Sequence, residues 1–205
     1  MKDEIKRAFV ENKTAILVSI AILVISLILG YFYEGYLYSY LNPSVEDLTQ
    51  KVQSGVLKVT FENIFLNNFR IICQMFIFGA FFCYSSLMLA FNGLFAGYYI
   101  ASSDDLFTVL MYIIPHGIFE FSSCILACAA GFVLFNYIYK FIKELIKGDG
   151  DSISEKLGNS FDKSYDKLKQ AVILFAISVI LMVIAGIIEV YLTVPIAQFI
   201  FSIFG

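Results

Sequence analysis

The sequence predicts an all-α, polytopic membrane protein with about five transmembrane helices and with broken or re-entrant half-helices in the middle and at the C-terminal end. Three observations predict it. The chain has 205 residues, 60% of them hydrophobic, and it holds several apolar stretches near the roughly 20 residues that an α-helix needs to cross a bilayer. Between Arg70 and Asp104 there is no Asp, Glu, Lys or Arg. Seven of the 14 basic residues (Lys140, Lys143, Lys147, Lys156, Lys163, Lys167, Lys169) fall in one segment and four more precede the first apolar stretch, the charge asymmetry of a membrane protein. A β-barrel would need short alternating strands between turns, which long continuous apolar runs do not provide.

The whole chain, residues 1–205, reads as one membrane domain. Residues 1–14 carry Lys2, Lys6, Arg7 and Lys13, and the positive-inside rule places them in the cytoplasm. The first span covers 15–33. It is longer than a signal-peptide core, ends at no small-residue cleavage site, and runs into Tyr31, Phe32, Tyr33, Tyr36, Tyr38 and Tyr40, an interfacial aromatic belt. Residues 34–70 form an outer connection of mixed charge with amphipathic helices. Asn42-Pro43-Ser44 reads as a turn, with Ser44 capping a helix whose apolar positions are Val45, Leu48, Val52, Val56 and Leu57. A second amphipathic piece over 61–70 leads into the second span, 71–91.

From Asn92-Gly93 to Pro115 the chain is interrupted by Ser102-Ser103-Asp104-Asp105, and the pieces 94–101 and 106–114 are each too short to cross alone. They are expected to be half-helices, with Gly93, Gly97, Pro115 and Gly117 at the breaks; irregular backbone at membrane depth requires burial in protein or a wet cavity. Gly93-x-x-x-Gly97 also permits close helix approach. The depth of the Asp104-Asp105 pair, mid-membrane or at the surface, stays open. The next span, 118–139, is rich in small residues. Residues 140–169 are a cytoplasmic Lys-rich segment, alternating with acids, in which Ser152-x-x-Glu155 forms a capping box and Phe161, Tyr165 and Leu168 an interfacial face. The last span, 170–192, breaks at Pro195 before a short helix, 196–204. With both basic segments inside, five crossings result, and His116, Glu120 and Glu189 lie toward the outer side.

Cys73, Cys83, Cys124 and Cys128 all fall in apolar stretches and make neither a disulfide framework nor a zinc pattern. They are read as small packing residues. The polar residues that stand out are His116, the chain's one histidine, with Glu120 four residues on, Glu189 in the last span, and Asn67, Asn68 and Asn92. A helix starting at Pro115 or Gly117 stacks His116 and Glu120 on one face. Two readings are open: a proton or cation site, or a structural cluster that bonds freed backbone groups and holds the bundle in register. No catalytic residue, resident metal or cofactor is expected. The chain has no His-Glu-x-x-His, Gly-x-Ser-x-Gly or Walker motif, and Asp149-Gly150-Asp151 lacks the spacing of a calcium loop. No basic and aromatic surface points to nucleic acid. The expected partners are the lipid bilayer and either a second copy of the chain, as a homo-oligomer, or other membrane proteins, met through small-residue faces.

Phe65-Leu66-Asn67-Asn68, Phe91-Asn92-Gly93-Leu94-x-x-Gly97, Ile114-Pro115-His116-Gly117-Ile118-Phe119-Glu120 and Ile188-Glu189 ahead of Pro195 together resemble the stage II sporulation protein M family, over most of the chain from about residue 63 onward. The resemblance implies a non-enzymatic scaffold or anchoring subunit of a membrane complex. The family's namesake works in forespore engulfment beside two partners that remodel peptidoglycan. Many relatives belong to organisms that do not sporulate, archaea included, so the resemblance supports the membrane core and not sporulation. With no extended soluble domain, a peptidoglycan-hydrolysing activity is not expected. The alternative is a small transporter, channel or permease subunit using the His/Glu cluster.

Overall fold

The structure, a computed structural model, describes residues 2–55, 60–81, 83–148 and 152–204, and among them every regular element is helical. Val56, Leu57 and Asp149-Gly150-Asp151 lie outside the described residues, as do the side chains of Leu48 and Val52.

Helix α1 (Lys2–Glu11) is followed at once by α2 (Lys13–Phe32). At their junction the Asn12 amide does not cap α2. It donates to the Ala8 carbonyl at 2.8 Å and to Gln170 Oε1 at 2.8 Å, fixing the start of α2 to α7 (Ile153–Ile187). Helix α3 (Glu34–Gln53) takes in the tyrosine-rich stretch and runs through Pro43. The turn expected at 42–44 is therefore absent and Ser44 is not a cap. Proline removes one backbone donor, and here Asn42 holds the helix across it: its amide donates to Glu46 Oε1 at 2.7 Å and its Oδ1 accepts from the buried Tyr98 hydroxyl at 3.2 Å.

The second apolar span, expected as one helix over 71–91, is two. Helix α4 (Phe61–Ile77) starts at Thr60, whose hydroxyl accepts from the Asn63 amide, and ends in a single 3₁₀ turn, Phe78–Ala80. Helix α5 (Cys83–Ala101) then leads back. The reversal is enforced by packing. Gly79 lies against Gly131 of α6 (Leu106–Lys147), where an added Cβ would strike the Gly131 backbone, and the Ser85 hydroxyl donates to the Met75 carbonyl across the turn.

Helix α5 is unbroken through Asn92, Gly93 and Gly97, so these glycines do not interrupt it. They let α5 lie directly on α2: a Cβ on Gly93 would meet Ser26 and the Leu23 carbonyl, and one on Gly97 the Leu27 carbonyl and Tyr31 nitrogen. Four residues along α5 advance the contact by four along α2, so the two helices run parallel. The real break is 102–105, where Asp104 and Asp105 are exposed and Asp105 caps α6, accepting from Thr108 N at 3.1 Å and Thr108 Oγ1 at 2.6 Å. Those two hydrogen bonds hold the Asp105 carboxyl below the usual range.

Helix α6 extends through 42 residues, about 63 Å at 1.5 Å per residue. Pro115 and Gly117 lie within it, so the expected break is absent and His116 and Glu120 sit mid-helix rather than in a first turn. Apolar spans tolerate an interior proline where neighbouring helices surround it. The helix stops at Gly148, whose φ of 74° few other residues adopt. Helix α7 begins with the expected Ser152 cap, the hydroxyl accepting from Glu155 N at 3.1 Å, and passes through a π-helical turn, Ile188–Leu192, into α8 (Thr193–Phe204). The interruption expected at Pro195 is thus a widened turn just before it.

Helices α6 and α7 are antiparallel and form the core with α2, α4 and α5 around Ile72, Met75, Leu89, Cys128, Leu174 and Met182. Cys124 and Cys128 are buried as packing residues, Cys73 is half-buried and Cys83 exposed; all four are free thiols. Three helical stretches, Lys13–Phe32, Leu106–Lys147 and Ile153–Ile203, are long and apolar enough to cross a membrane. The chain is an all-helical membrane protein.

Candidate functional site

The site assembles where three irregularities coincide. Pro115 leaves the Met111 carbonyl without its usual i+4 donor in α6, α5 ends at Ala101 nearby, and the π-turn resets the face of the last helix just as Glu189 comes up. Single π-turns within α-helices recur at functional positions. One ring nitrogen of His116, one carboxylate oxygen of Glu120 and one of Glu189 all lie within 4.8 Å of one another, and all three residues are partly buried.

Their hydrogen bonding is asymmetric. His116 Nδ1 lies 3.3 Å from Thr193 Oγ1, and that hydroxyl donates to the Ile188 carbonyl at 3.1 Å. A threonine hydroxyl has one proton. With it directed at Ile188, the oxygen accepts from Nδ1–H and Nε2 keeps its lone pair; with it directed at Nδ1, the imidazole carries its hydrogen on Nε2. Among the described residues, the Glu120 and Glu189 carboxylates take no hydrogen bond and no ion pair. Two carboxylates this close repel unless a cation, a shared proton or water in the cavities they line offsets their charge.

Three adjoining cavities meet at the cluster. One of about 240 Å³ is lined by Asn67, Asn68, Asn92 and Glu120 with Cys124 and Met182 below. A second, about 250 Å³, shares Asn92 and Glu120 and adds His116 and Tyr99. The third and largest, about 500 Å³, runs from His116 and Glu189 past Tyr99 and Thr108 to Asp105 at the loop. All six polar residues singled out in the sequence thus line this connected space. Asn67 donates to Asn68 at 3.3 Å rather than to either glutamate. Gly93, Gly97, Pro115, Gly117 and Pro195 contribute no lining group here; they shape the helices around it.

Two contributors escaped sequence reasoning. Thr193 bonds the imidazole, and the π-turn carries Glu189; the only sign of either in the sequence was the break expected at Pro195. Just below, Ser123 donates to the Ser178 carbonyl at 2.7 Å and Ser178 to the Ser123 carbonyl at 2.8 Å, a reciprocal pair that pins α6 to α7 under the site.

Comparison with known proteins agrees with the resemblance seen in the residues. The family model described as stage II sporulation protein M matches residues 14–194. The uncharacterized protein MJ0793 of the archaeon Methanocaldococcus jannaschii is 31% identical over 151 residues, covering 71% of this chain and 78% of that protein. The uncharacterized protein MJ0706 of the same organism is 28% identical over 210 residues, covering 97% and 90%. No solved structure matches. The match spans every helix from α2 to the π-turn and so takes in the whole polar cluster: the chain belongs to the stage II sporulation protein M family.

Proposed function

We propose that the protein is a non-enzymatic, five-crossing subunit of the cell membrane that anchors or scaffolds a membrane complex. The crossings are α2, α4, α5, α6 and α7 with α8. The parallel run of α5 on α2, with α4 returning between them, supports this count although α4 and α5 are only 17 and 19 residues long. The positive-inside rule then puts α1 and the Lys-rich ends of α6 and α7 in the cytoplasm and Asp104-Asp105 outside.

The observation that carries the anchoring role is the tip of the α6–α7 hairpin. Residues 153–169 extend α7 by about 25 Å beyond its apolar part, and α1 braces this arm through Arg7–Asp166 at 2.8 Å, Lys167–Glu11 at 3.2 Å and Lys169–Glu4 at 3.1 Å. At its end Ile146 and Ile153 are 80% and 79% exposed among lysines. Apolar side chains offered so openly on a polar, rigid arm suit a protein partner. Gently solubilised membranes, run on native gels, should show the 23.1 kDa chain in a larger assembly that Ile146→Asp with Ile153→Asp dissolves. A wild-type chain migrating alone would refute the anchoring role.

The polar cluster favours a second reading, a carrier or channel for a small cation: two unpartnered carboxylates face a chain of cavities that leads to Asp105. Cation flux into vesicles holding purified protein, abolished by Glu120→Gln, is the expected sign of it.

A further inference from the structure

We propose that His116, Glu120 and Glu189 form a binding site for one divalent first-row transition cation of the Mn²⁺ to Zn²⁺ class, entered from the Asp105 side. The inference deepens the cation reading of the cluster and is independent of the anchoring role.

The donor set argues for the class. One imidazole nitrogen and two carboxylate oxygens suit borderline metals; an all-oxygen site would suit Mg²⁺ or Ca²⁺, and thiolates would suit Cu⁺. Cys124 lines the cavity beneath Glu120 and Cys128 lies in the packed core, and neither belongs to the three-residue group. Charge argues the same way, since two carboxylates and a divalent ion sum to zero where an uncompensated charge is costly.

Geometry fits without a new backbone. One imidazole nitrogen and one oxygen of each carboxylate already lie within 4.8 Å of one another, against roughly 3.4 Å between ligands of a tetrahedral ion with 2.1 Å bonds, a gap that side-chain rotation closes. Asn92 lines the same two cavities as Glu120 and offers a neutral amide oxygen.

The arrangement behind the imidazole also suits a metal ligand. Metal-binding histidines characteristically donate their second ring N–H to an acceptor that fixes the tautomer and ring orientation. Here Thr193 Oγ1, 3.3 Å from Nδ1, is placed for that task, with the Ile188 carbonyl, which also takes the Thr193 backbone N–H, 3.1 Å away as an acceptor for its own proton. A buried histidine in a purely structural role also needs a partner for its N–H, so it is the two carboxylates beside it, without a hydrogen-bond or ion-pair partner among the described residues, that point to a cation.

The test is a Co²⁺ titration of the purified full chain in detergent, freed of any histidine tag, followed by visible absorption. The expected result is a ligand-field band saturating at one equivalent, displaced by Zn²⁺ and indifferent to excess Mg²⁺. His116→Ala and Glu120→Gln should abolish it. Thr193→Val, which leaves every ligand in place, should weaken binding about 10- to 100-fold, while Glu62→Gln on an exposed face should change nothing. Size-exclusion profiles separate lost binding from lost fold; if His116→Ala misfolds, the Thr193→Val shift decides. No band in wild type, a band surviving in Glu120→Gln, or equal displacement by Mg²⁺ would overturn the site. Binding without vesicle flux would confirm the site and remove the carrier reading; alkali-cation flux with no Co²⁺ band would do the reverse.

Discussion

Ser123 and Ser178 each give their proton to the other's backbone carbonyl, and their hydroxyl oxygens sit 3.0 Å apart. Within a bilayer the apolar effect does little to hold one helix against another, so such bonds and close packing must do it. Interhelical hydrogen bonds in membrane proteins are worth about 0.6 kcal/mol each and up to about 1.7. Ser123→Ala or Ser178→Ala should therefore cost about that much in thermal or denaturant unfolding in detergent, and the double variant should depart from the sum, because the two hydroxyls touch. Ser202→Ala, which removes only a bond to Phe199 of its own helix, should be close to neutral. This scale divides what the sequence reveals from what it hides. His116, Glu120, Glu189 and the three asparagines are visible because charge and amides are conspicuous in an apolar run. Thr193 and Ser178 are not, since a hydroxyl in a membrane helix most often bonds its own preceding turn, and nothing in the order of residues says which one reaches a neighbour.

At the scale of elements, the junction of α1, α2 and α7 is tied by charge, where the apolar part of the bundle is tied by packing and by hydroxyl bonds such as those of Ser123 and Ser178. Arg7 Nε donates to Glu11 at 2.8 Å, Gln170 Nε2 at 2.7 Å and Lys167 Nζ at 3.2 Å. These hydrogen bonds, Arg7's first, depress the Glu11 carboxyl from 4.5 to about 2, and the bonds from Arg7 to Glu11 and Asp166 raise its guanidinium further above any working pH. A carboxyl depressed on folding lends stability that is complete above its unfolded value and lost as pH falls through its folded one. The docking of α1 should therefore be constant from neutrality to about pH 5 and fail between 4.5 and 2. A spin-label pair at positions 3 and 162 should broaden in distance over that window, and Glu11→Gln should give the broad distribution already at pH 7. A sharp distance persisting at pH 2 would show that packing of Ala8, fully buried, suffices by itself. The elements themselves were only partly legible. Apolar length fixed α2 and the last span, and the cap at Ser152 was readable because Ser-x-x-Glu states its own geometry. The breaks were misplaced for one physical reason. Asn-Gly and Pro-His-Gly interrupt helices in water, whereas inside a bundle unsatisfied backbone is so costly that α5 and α6 run through them. The chain instead reverses after α4, at the 78–81 turn, in an uncharged, apolar stretch, because Gly79 must reach Gly131 of another helix.

For the whole molecule, moving the breaks is compatible with the five crossings proposed and changes which residues would make them. The expected order was a full span over 71–91 followed by two halves; the observed order is α4, a tight reversal, and α5, so 94–101 completes a helix begun at Cys83 and 106–114 begins one that ends at Lys147. Asp104 and Asp105 then fall at a helix junction and are exposed, which removes the need to place two carboxylates at mid-membrane. The arrangement makes three loci diagnostic, and they can be read by cysteine labelling in a background with all four native cysteines changed to Ala. Asp104→Cys should react with an impermeant maleimide added outside intact cells. Ser152→Cys, between α6 and α7, should react only after permeabilisation. Phe81→Cys, at the α4–α5 reversal, distinguishes the two ways a helix hairpin can meet a bilayer: if α4 and α5 both cross, it should behave like Ser152→Cys, because α5 rises beside α2 from the side where α2 starts. Reaction of Phe81→Cys from outside, or at neither side, would make that hairpin re-entrant and reduce the crossings to three. Both basic segments would still lie on one face, since α2, α6 and α7 alone return them there; the Asp104 label would separate the counts no further, and the position of residue 81 alone decides between five and three.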